Sequence, residues 1–360
     1  MGNLILYDRL IIYYFSGTGN ARNCAIWMAE SAESRGINTE VFNITGKKKF
    51  EFPEENKGMT LIGFVYPTHG FNAPPVVLKF LRKFPGMKNT HAFVMNTRGG
   101  LKLWKMFTPG WSGLALLLPA LMLLFKGYKI KAMKPVDLPS NWISLHPGLR
   151  NKVIDSIYSH WKANVLRFSE KVLSGKSIYR GLIDLPLDLL ILPISILYYF
   201  FGRFMLAKTF IATNECTQCG ICVKGCPLKA ISMKNNLPYW GFTCESCMKC
   251  MNTCPERAIQ TTHSFSIALW YLASMASGLL ISNSLIKTGI FSFSDFYFRE
   301  LMAPLMNIGF TILSVFLAYK CLHFLMRYRW VNIVVKYTSF TYYRFWRRYK
   351  APGGKEKSEN

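Results

Sequence analysis

"RLIIYYFSGTGNARNCAIWMAESAESRG", residues 9 to 36, carries three elements in one line. Arg9 to Phe15 is a β-branched and aromatic run that halts at a Ser and Gly cluster. "NARNCAIWMAESAESRG" then repeats small and apolar residues at helical intervals up to Gly36. The order is strand, tight loop, helix. Short apolar runs follow at 37–44, 58–66, 90–96 and near 128–133, and "APPVVLKFLRKF" at 73–84 has a helical pattern. This alternation predicts a parallel sheet covered by helices over residues 1–145.

In such a sheet, ligands sit beyond the carboxyl ends of the strands. Here those ends carry "SGTGNAR" (16–22), "YPTHGFNAPP" (66–75) and "NTRGG" (96–100). The first is composed as an anion cradle. Gly17 and Gly19 let backbone N–H groups approach a ligand, Ser16, Thr18 and Asn20 offer side-chain donors, and the next helix points its positive end at the same place. A phosphate is the expected guest. The loop is not a nucleotide P-loop, because no Gly-Lys-Ser/Thr follows, and not a dinucleotide fingerprint, because Arg22 stands where the third Gly belongs. Cys24, among Ala25, Met28 and Ala29, reads as helix packing.

This stretch resembles the flavodoxin family, whose phosphate loop reads Ser/Thr-x-Thr-Gly-x-Thr after the first strand and whose next two loops hold the flavin ring. The resemblance covers about residues 8–145 and implies FMN. It assigns Ser16, Gly17, Thr18, Gly19 and Asn20 to the phosphate, Pro67, Thr68, His69, Gly70 and Phe71 to the second loop, and Thr97, Arg98, Gly99 and Gly100 to the third. His69 and Phe71 are candidates to lie against the ring, and Arg98 to offset charge on the reduced flavin. Ala21 departs from the family pattern by replacing its last hydroxyl.

Eight of the ten cysteines lie in "CTQCGICVKGCP" (216–227) and "CESCMKCMNTCP" (244–255). Both runs follow C-x2-C-x2-C-x3-C-P, 28 residues apart, and Ala230 with Ile231 matches Ala258 with Ile259, so the stretch is an internal duplication. A pair of zinc sites more often draws on two C-x2-C pairs apart in sequence. The segment is similar to the two-cluster bacterial ferredoxins over about residues 209–262, in which the fourth Cys of each run ligates the other cluster. That implies two [4Fe-4S] clusters, one held by Cys216, Cys219, Cys222 and Cys254, the other by Cys244, Cys247, Cys250 and Cys226. The order of modules resembles the flavodoxin-ferredoxin fusion proteins of anaerobic bacteria over roughly 260 residues.

The net charge of +25 points to nucleic acid or to an anionic membrane surface, and its placement decides between them. Phe265 to Ile286 and Leu301 to Tyr319 are uncharged runs of 22 and 19 residues, each long enough to cross a bilayer core as a helix. Residues 320–360 hold ten Lys or Arg against two Glu, whereas the connector 287–300 has only Lys287 and Arg299 as bases, which places the tail in the cytoplasm. "RYRWVNIVVKYTSFTYYRFWRRYK" (327–350) mixes aromatic and basic residues as a lipid surface requires, so membrane lipid rather than nucleic acid is the expected partner. "LALLLPALMLLF" (114–125) is too short to cross. Residues 182–206 carry Asp184, Asp188 and prolines at 186 and 193, and are expected to lie in the interface. The N-terminus shows neither a basic leader nor a cleavage site, nor the hydroxyl that myristoylation at Gly2 requires, and clustered thiols fit a reducing compartment.

The expected architecture is thus an α/β flavodoxin-like doubly wound parallel sheet at 1–145, a helical linker with a membrane-interface segment at 146–208, and a small α+β two-[4Fe-4S] ferredoxin domain at 209–262. Two transmembrane helices at 263–326 and a basic cytoplasmic tail at 327–360 complete it. The expected function is membrane-anchored electron transfer between the clusters and FMN and on to a redox protein partner. The alternative is an FMN-dependent reductase of a quinone or nitro compound, fed by its own ferredoxin domain. No nicotinamide fingerprint is present, so electrons are expected to come from another protein.

Overall fold

Residue types that favour extended backbone gather where the sheet forms. In the computed structural model, which describes residues 6–46, 59–288 and 303–353, the strands are β1 (Arg9–Tyr14), β2 (Asn38–Asn43), β3 (Thr60–Pro67), β4 (His91–Leu103), β5 (Met106–Thr108) and β6 (Lys129–Pro139). β2, β1, β3, β4 and β6 pair in parallel in that order, while β5 folds back antiparallel onto the far end of β4. This is the flavodoxin-like strand order, with the switch point between β1 and β3. Helices α1 (Asn20–Glu33), α2 (Pro75–Lys83), α3 (Leu114–Phe125) and α4 (Asn151–Leu173) pack on the sheet. Tyr13 of β1 lies among Phe42, Phe64, Phe80 and Phe84, an aromatic core that fixes β1, β2, β3 and α2 together.

The chain forms two compact units. The first comprises Met1–Arg203, Glu245–Asn252 and Arg347–Asn360; the second comprises Phe204–Cys244 and Thr253–Trp346. The first unit therefore runs past the expected boundary at 145. α4, expected within a linker, buries Ile154, Ile157, Tyr158, Val165, Phe168 and Val172. Residues 347–352, of which 347–350 are expected on lipid, are drawn into the first unit because Tyr349 is buried and its hydroxyl bonds to Asn20, while Asn23 Nδ2 donates to Pro352 O at 2.8 Å.

Residues 180–207 form no continuous rod. After a single 3-10 turn (Arg180–Leu182) come α5 (Leu185–Leu190), α6 (Leu192–Leu197), a π turn (Tyr198–Gly202) and α7 (Arg203–Ala207). Pro186 and Pro193 start α5 and α6, where a missing N–H costs little. Within the first unit the polar residues face protein: Asp184 accepts from Arg98, Asp188 accepts from Gly113 N at 2.6 Å, and Ser195 donates to Phe71 O at 2.8 Å. Ile183, Leu190 and Phe200 stay exposed on the other side.

In the second unit, β7 (Phe210–Ala212) pairs antiparallel with β10 (Ile259–Thr261), and β8 (Ile231–Lys234) with β9 (Leu237–Trp240). Asn235 and Asn236 both take positive φ in the β8–β9 turn, as a two-residue hairpin demands. α8 (Ile221–Lys224) contains the third Cys of the first run, and α9 (Lys249–Thr253), which belongs to the first unit up to Asn252, contains the third Cys of the second. α10 (His263–Thr288) packs on α11 (Ala303–Leu325). Pro304–Leu325 is long and apolar enough to cross a membrane, the one such helix among the described residues. The two-span expectation is thus matched by one span on composition; most of the connector, and Leu301 and Met302 of the second run, lie outside the described residues. α12 (Arg329–Tyr337) buries Val331, Asn332 and Val335 against Ile211, Leu322 and Met326 and exposes Trp330 and Val334, an amphipathic helix.

Candidate functional site

β1, β3, β4 and β6 end at one edge of the sheet, and their loops enclose a cavity of about 410 Å³. That lies within the ~300–1,000 Å³ of small-molecule sites. Of the residues assigned from sequence, Ser16, Gly17, Thr18, Asn20, Pro67, Thr68, Gly70, Phe71, Thr97, Arg98 and Gly99 line it. Gly19, His69 and Gly100 do not.

The first loop is built for an anion. Gly19 caps α1 at φ 108°, a left-handed conformation that L side chains rarely adopt, and α1 starts without a side-chain cap or an acidic residue in its first turn. Its first N–H groups and the positive end of its dipole are thereby left for a guest. Ser16 Oγ accepts from Gly19 N at 3.1 Å, and Asn141 Nδ2 donates to Thr18 Oγ1 at 2.8 Å, so the hydroxyl protons of both remain to be donated. Asn20 does something else. Its amide donates to Pro139 O at 2.9 Å and accepts from the hydroxyls of Tyr158 and Tyr349, so it ties α1 to β6, α4 and residue 349.

"NTRGG" is not a loop. Asn96 to Gly100 continue β4, paired with Pro135 to Pro139 of β6, because β6 extends far enough to satisfy their backbone groups. Arg98 is buried, donating to Asp137 Oδ1 at 2.5 Å, to Asp184 Oδ2 at 2.6 Å and to Ser112 Oγ at 3.3 Å. Burial opposes its charge, but the two carboxylates outweigh this and raise its pKa; burial likewise raises that of Asp137. Its charge is therefore neutralised by protein carboxylates, which replaces the expectation that it offsets a reduced flavin.

His69 sits behind the cavity wall, 2% exposed, with its ring edge-on to Phe15 at 6.2 Å and tilted against Trp142 at 6.5 Å. Neither ring nitrogen has a hydrogen-bond partner among the described residues, and burial pushes its pKa down to about 4. The aromatic surfaces facing the cavity are Phe71, Trp111 and Trp142, with Phe71 and Trp111 centroids 6.0 Å apart. Trp111 and Trp142, together with Pro109, Gly110, Pro139, Ser140 and Asn141, carried no motif in the sequence; the β4–β5 hairpin and the end of β6 bring them here.

The cysteine runs repeat in backbone as well as in spacing. Positive φ occurs at Gln218 and Ser246, at Gly220 and Met248, and at Lys229 and Arg257, each pair 28 positions apart. Five of these six residues carry a side chain, and holding them left-handed costs roughly 1 kcal/mol each, a strain of the kind kept at functional sites. In the second unit, Cys216, Cys219, Cys222 and Cys254 line one pocket together with Pro255 and Ile259. Four thiols around a small volume fit a cubane iron-sulfur cluster. Cys226 Sγ accepts from Ala230 N at 3.3 Å, the kind of N–H to sulfur bond that tunes such clusters. Cys247 and Cys250 belong to the first unit and Cys244 and Cys226 to the second. Cys24 is buried in α1, and its thiol pKa is raised by burial.

Residues 215–259 match the 4Fe-4S dicluster domain family. No curated protein matches the chain. Solved structures similar to it include the rubredoxin oxygen:oxidoreductase of the anaerobe Desulfovibrio gigas, at 17% identity over 47% of this chain and 36% of that one, with a TM-score of 0.31. A flavodoxin from the domain Archaea matches at 16% identity over 46% of this chain and 98% of that one, TM-score 0.31. The Trp repressor binding protein of Bacillus subtilis matches at 10% over 45% and 96%, TM-score 0.25. The chain thus spans little more than a third of the first of these proteins, and the fold assignment rests on the strand order and register described above. The chain carries a 4Fe-4S dicluster domain together with a flavodoxin-like α/β sheet.

Proposed function

We propose that the protein is a membrane-anchored electron carrier in which FMN occupies the cavity of the first unit and two [4Fe-4S] clusters occupy the cysteine runs. Cys216, Cys219, Cys222 and Cys254 hold one cluster and Cys244, Cys247, Cys250 and Cys226 the other. FMN exchanges one or two electrons and each cluster one, which suits a relay to a redox protein partner. The observation that carries this reading is the coexistence of an uncapped α1 N-terminus opening into a cavity of about 410 Å³ and a duplicated dicluster motif on the same chain.

The residues divide the work. N–H groups at Gly17 to Ala21, with Ser16 and Thr18, hold the phosphate; Phe71, Trp111 and Trp142 offer apolar faces to the ring. Among the described residues, Arg98 is the one ionisable side chain on the cavity wall and is already paired with Asp137 and Asp184. With His69 behind the wall, no acid or base among the described residues faces the cavity to protonate an organic acceptor, which favours the carrier over a reductase of quinones or nitro compounds. The apolar helix Pro304–Leu325 supports anchoring, with a second span at 265–286 and the redox groups and basic tail on the cytoplasmic side.

The test is anaerobic purification of the full chain in detergent, with FMN and iron counted per chain and a reductive titration followed optically. The carrier reading expects flavin and iron together and no sustained turnover of quinones or nitroaromatics without a protein acceptor. Iron-free protein from an oxygen-protected preparation, or rapid turnover of a small acceptor, would refute it.

A further inference from the structure

Gly17 of the phosphate loop lies directly against Cys247 of the second cysteine run, both within the first unit. A Cβ built on Gly17 would stand 2.7 Å from the Cys247 carbonyl oxygen, 2.8 Å from its Cβ and 3.3 Å from its Sγ. No real side chain tolerates the first two distances, so glycine is what permits the contact. The amide of Asn141, itself on the cavity wall, fastens it: Nδ2 donates to Thr18 Oγ1 at 2.8 Å and to Cys247 O at 3.3 Å. Asn252, one turn beyond Cys247, reaches back to Asn141 O at 3.4 Å and accepts from Tyr349 N at 2.6 Å, holding the segment to the same wall.

We infer that Gly17 and Asn141 couple the anion site electrostatically to the cluster ligated by Cys247, so that a phosphate bound at the loop lowers the reduction potential of that cluster. This rests on the FMN and cluster assignments above. The sign follows from Coulomb's law. Reduction would add negative charge to the cluster, and a phosphate dianion held at the loop that touches Cys247 would disfavour that charge, the more so away from bulk water. By linkage, the same coupling makes reduction of that cluster weaken the binding of the anion by an equal factor. Gly17 and Asn141 are positioning residues in this scheme: they touch the phosphate loop and set how closely the ligating segment approaches it.

The experiment uses full-length protein with its clusters loaded and flavin removed. Cluster signals are followed by EPR in a potentiometric titration, alone, with FMN, and with riboflavin, which has the same ring and no phosphate. FMN should shift one of the two cluster signals to lower potential, so that at a fixed potential its reduced-to-oxidised ratio falls several-fold, and riboflavin should not. C250S should remove the responding signal and C219S should leave it. Asn141→Ala, measured at an FMN concentration that saturates the variant, should shrink the shift while both clusters remain loaded. If FMN binds and neither signal moves, if riboflavin moves it equally, or if C219S protein that keeps about half its iron lacks the responding signal, the coupling is refuted. If FMN does not bind at all, the proposed cofactor falls first, and inorganic phosphate in place of FMN then tests the coupling by itself: no shift refutes it.

Discussion

Arg98 donates to Asp184 at 2.6 Å across 86 positions of sequence, and this pair fastens the apolar segment 180–203 to the end of β4. Asp184→Asn keeps the shape and removes the charge. A hydrogen bond between charged groups contributes about 1.5–3 kcal/mol, so the variant should lose roughly that much stability. Limited proteolysis of the full chain should then cut within 180–203 several-fold faster than in wild type. Cleavage at an unchanged rate would show that α5 and α6 hold themselves in place without the pair.

His69 gives the first unit a pH dependence. Its pKa is lowered to about 4 by burial, whereas an exposed histidine titrates near ~6.5. Above about pH 6.5 neither folded nor unfolded chain carries the proton. Between there and about pH 4 the unfolded chain binds it and the folded chain does not, so stability falls as pH falls, by on the order of 3 kcal/mol over the window. His69→Leu should flatten that part of the melting temperature against pH profile. An equal slope in both proteins would mean that the ring is solvated in the folded state.

Tyr349 should matter to the flavin cavity, far in sequence from its loops. Its buried hydroxyl bonds to Asn20, which starts α1. Tyr349→Phe removes two bonds, to Asn20 and with the Tyr158 hydroxyl at 3.1 Å, each of about 1 kcal/mol, and leaves Tyr158 on Asn20. Tyr349→Ala also empties the buried volume and should cost about 3–5 kcal/mol and weaken FMN binding at least tenfold. Isothermal titration with FMN gives the comparison; equal affinities would detach residue 349 from the site.

Iron content separates the two thiol sets. Cys219→Ser and Cys250→Ser should each halve the iron of anaerobically purified protein, from about eight atoms per chain to about four, and the double variant should lose nearly all. Cys24→Ala should leave the count unchanged, since Cys24 is buried in α1. Loss of all iron from either single variant would indicate that the clusters assemble only as a pair.

The parallel sheet was legible because the run at Arg9 to Phe15, its Gly-rich loop and the helix after it use local signals: strand residues, a turn, and helical spacing. The cysteine runs were legible for the same reason. What stayed hidden was set by contacts far apart in sequence. Asn96 to Gly100 look like a loop by composition and are strand because β6 pairs with them. Trp111 and Trp142 reach the cavity from a hairpin and a strand end that no motif marks. His69 and Phe71 are two residues apart in one loop and equally suited to a flavin wall by type. Packing against Phe15 and Trp142 turns one inward, while Phe71, at φ 63°, lines the cavity.

The path of the chain between its units fixes an order of biosynthesis. The first unit draws on residues 245–252 and 347–352 as well as on its N-terminal part, and the second supplies everything between. A ribosome therefore finishes the apolar helix Pro304–Leu325 before it makes Tyr349, and α1 receives its hydroxyl partner from Tyr349 only afterwards. The start of α1, which follows the anion loop, must wait for Tyr349 and Pro352 until translation has passed the helix. Gene fragments cut at residue 208 or 262 leave Asn20 and Asn23 without Tyr349 and Pro352, so a ligand-loaded module is to be sought in the uncut polypeptide.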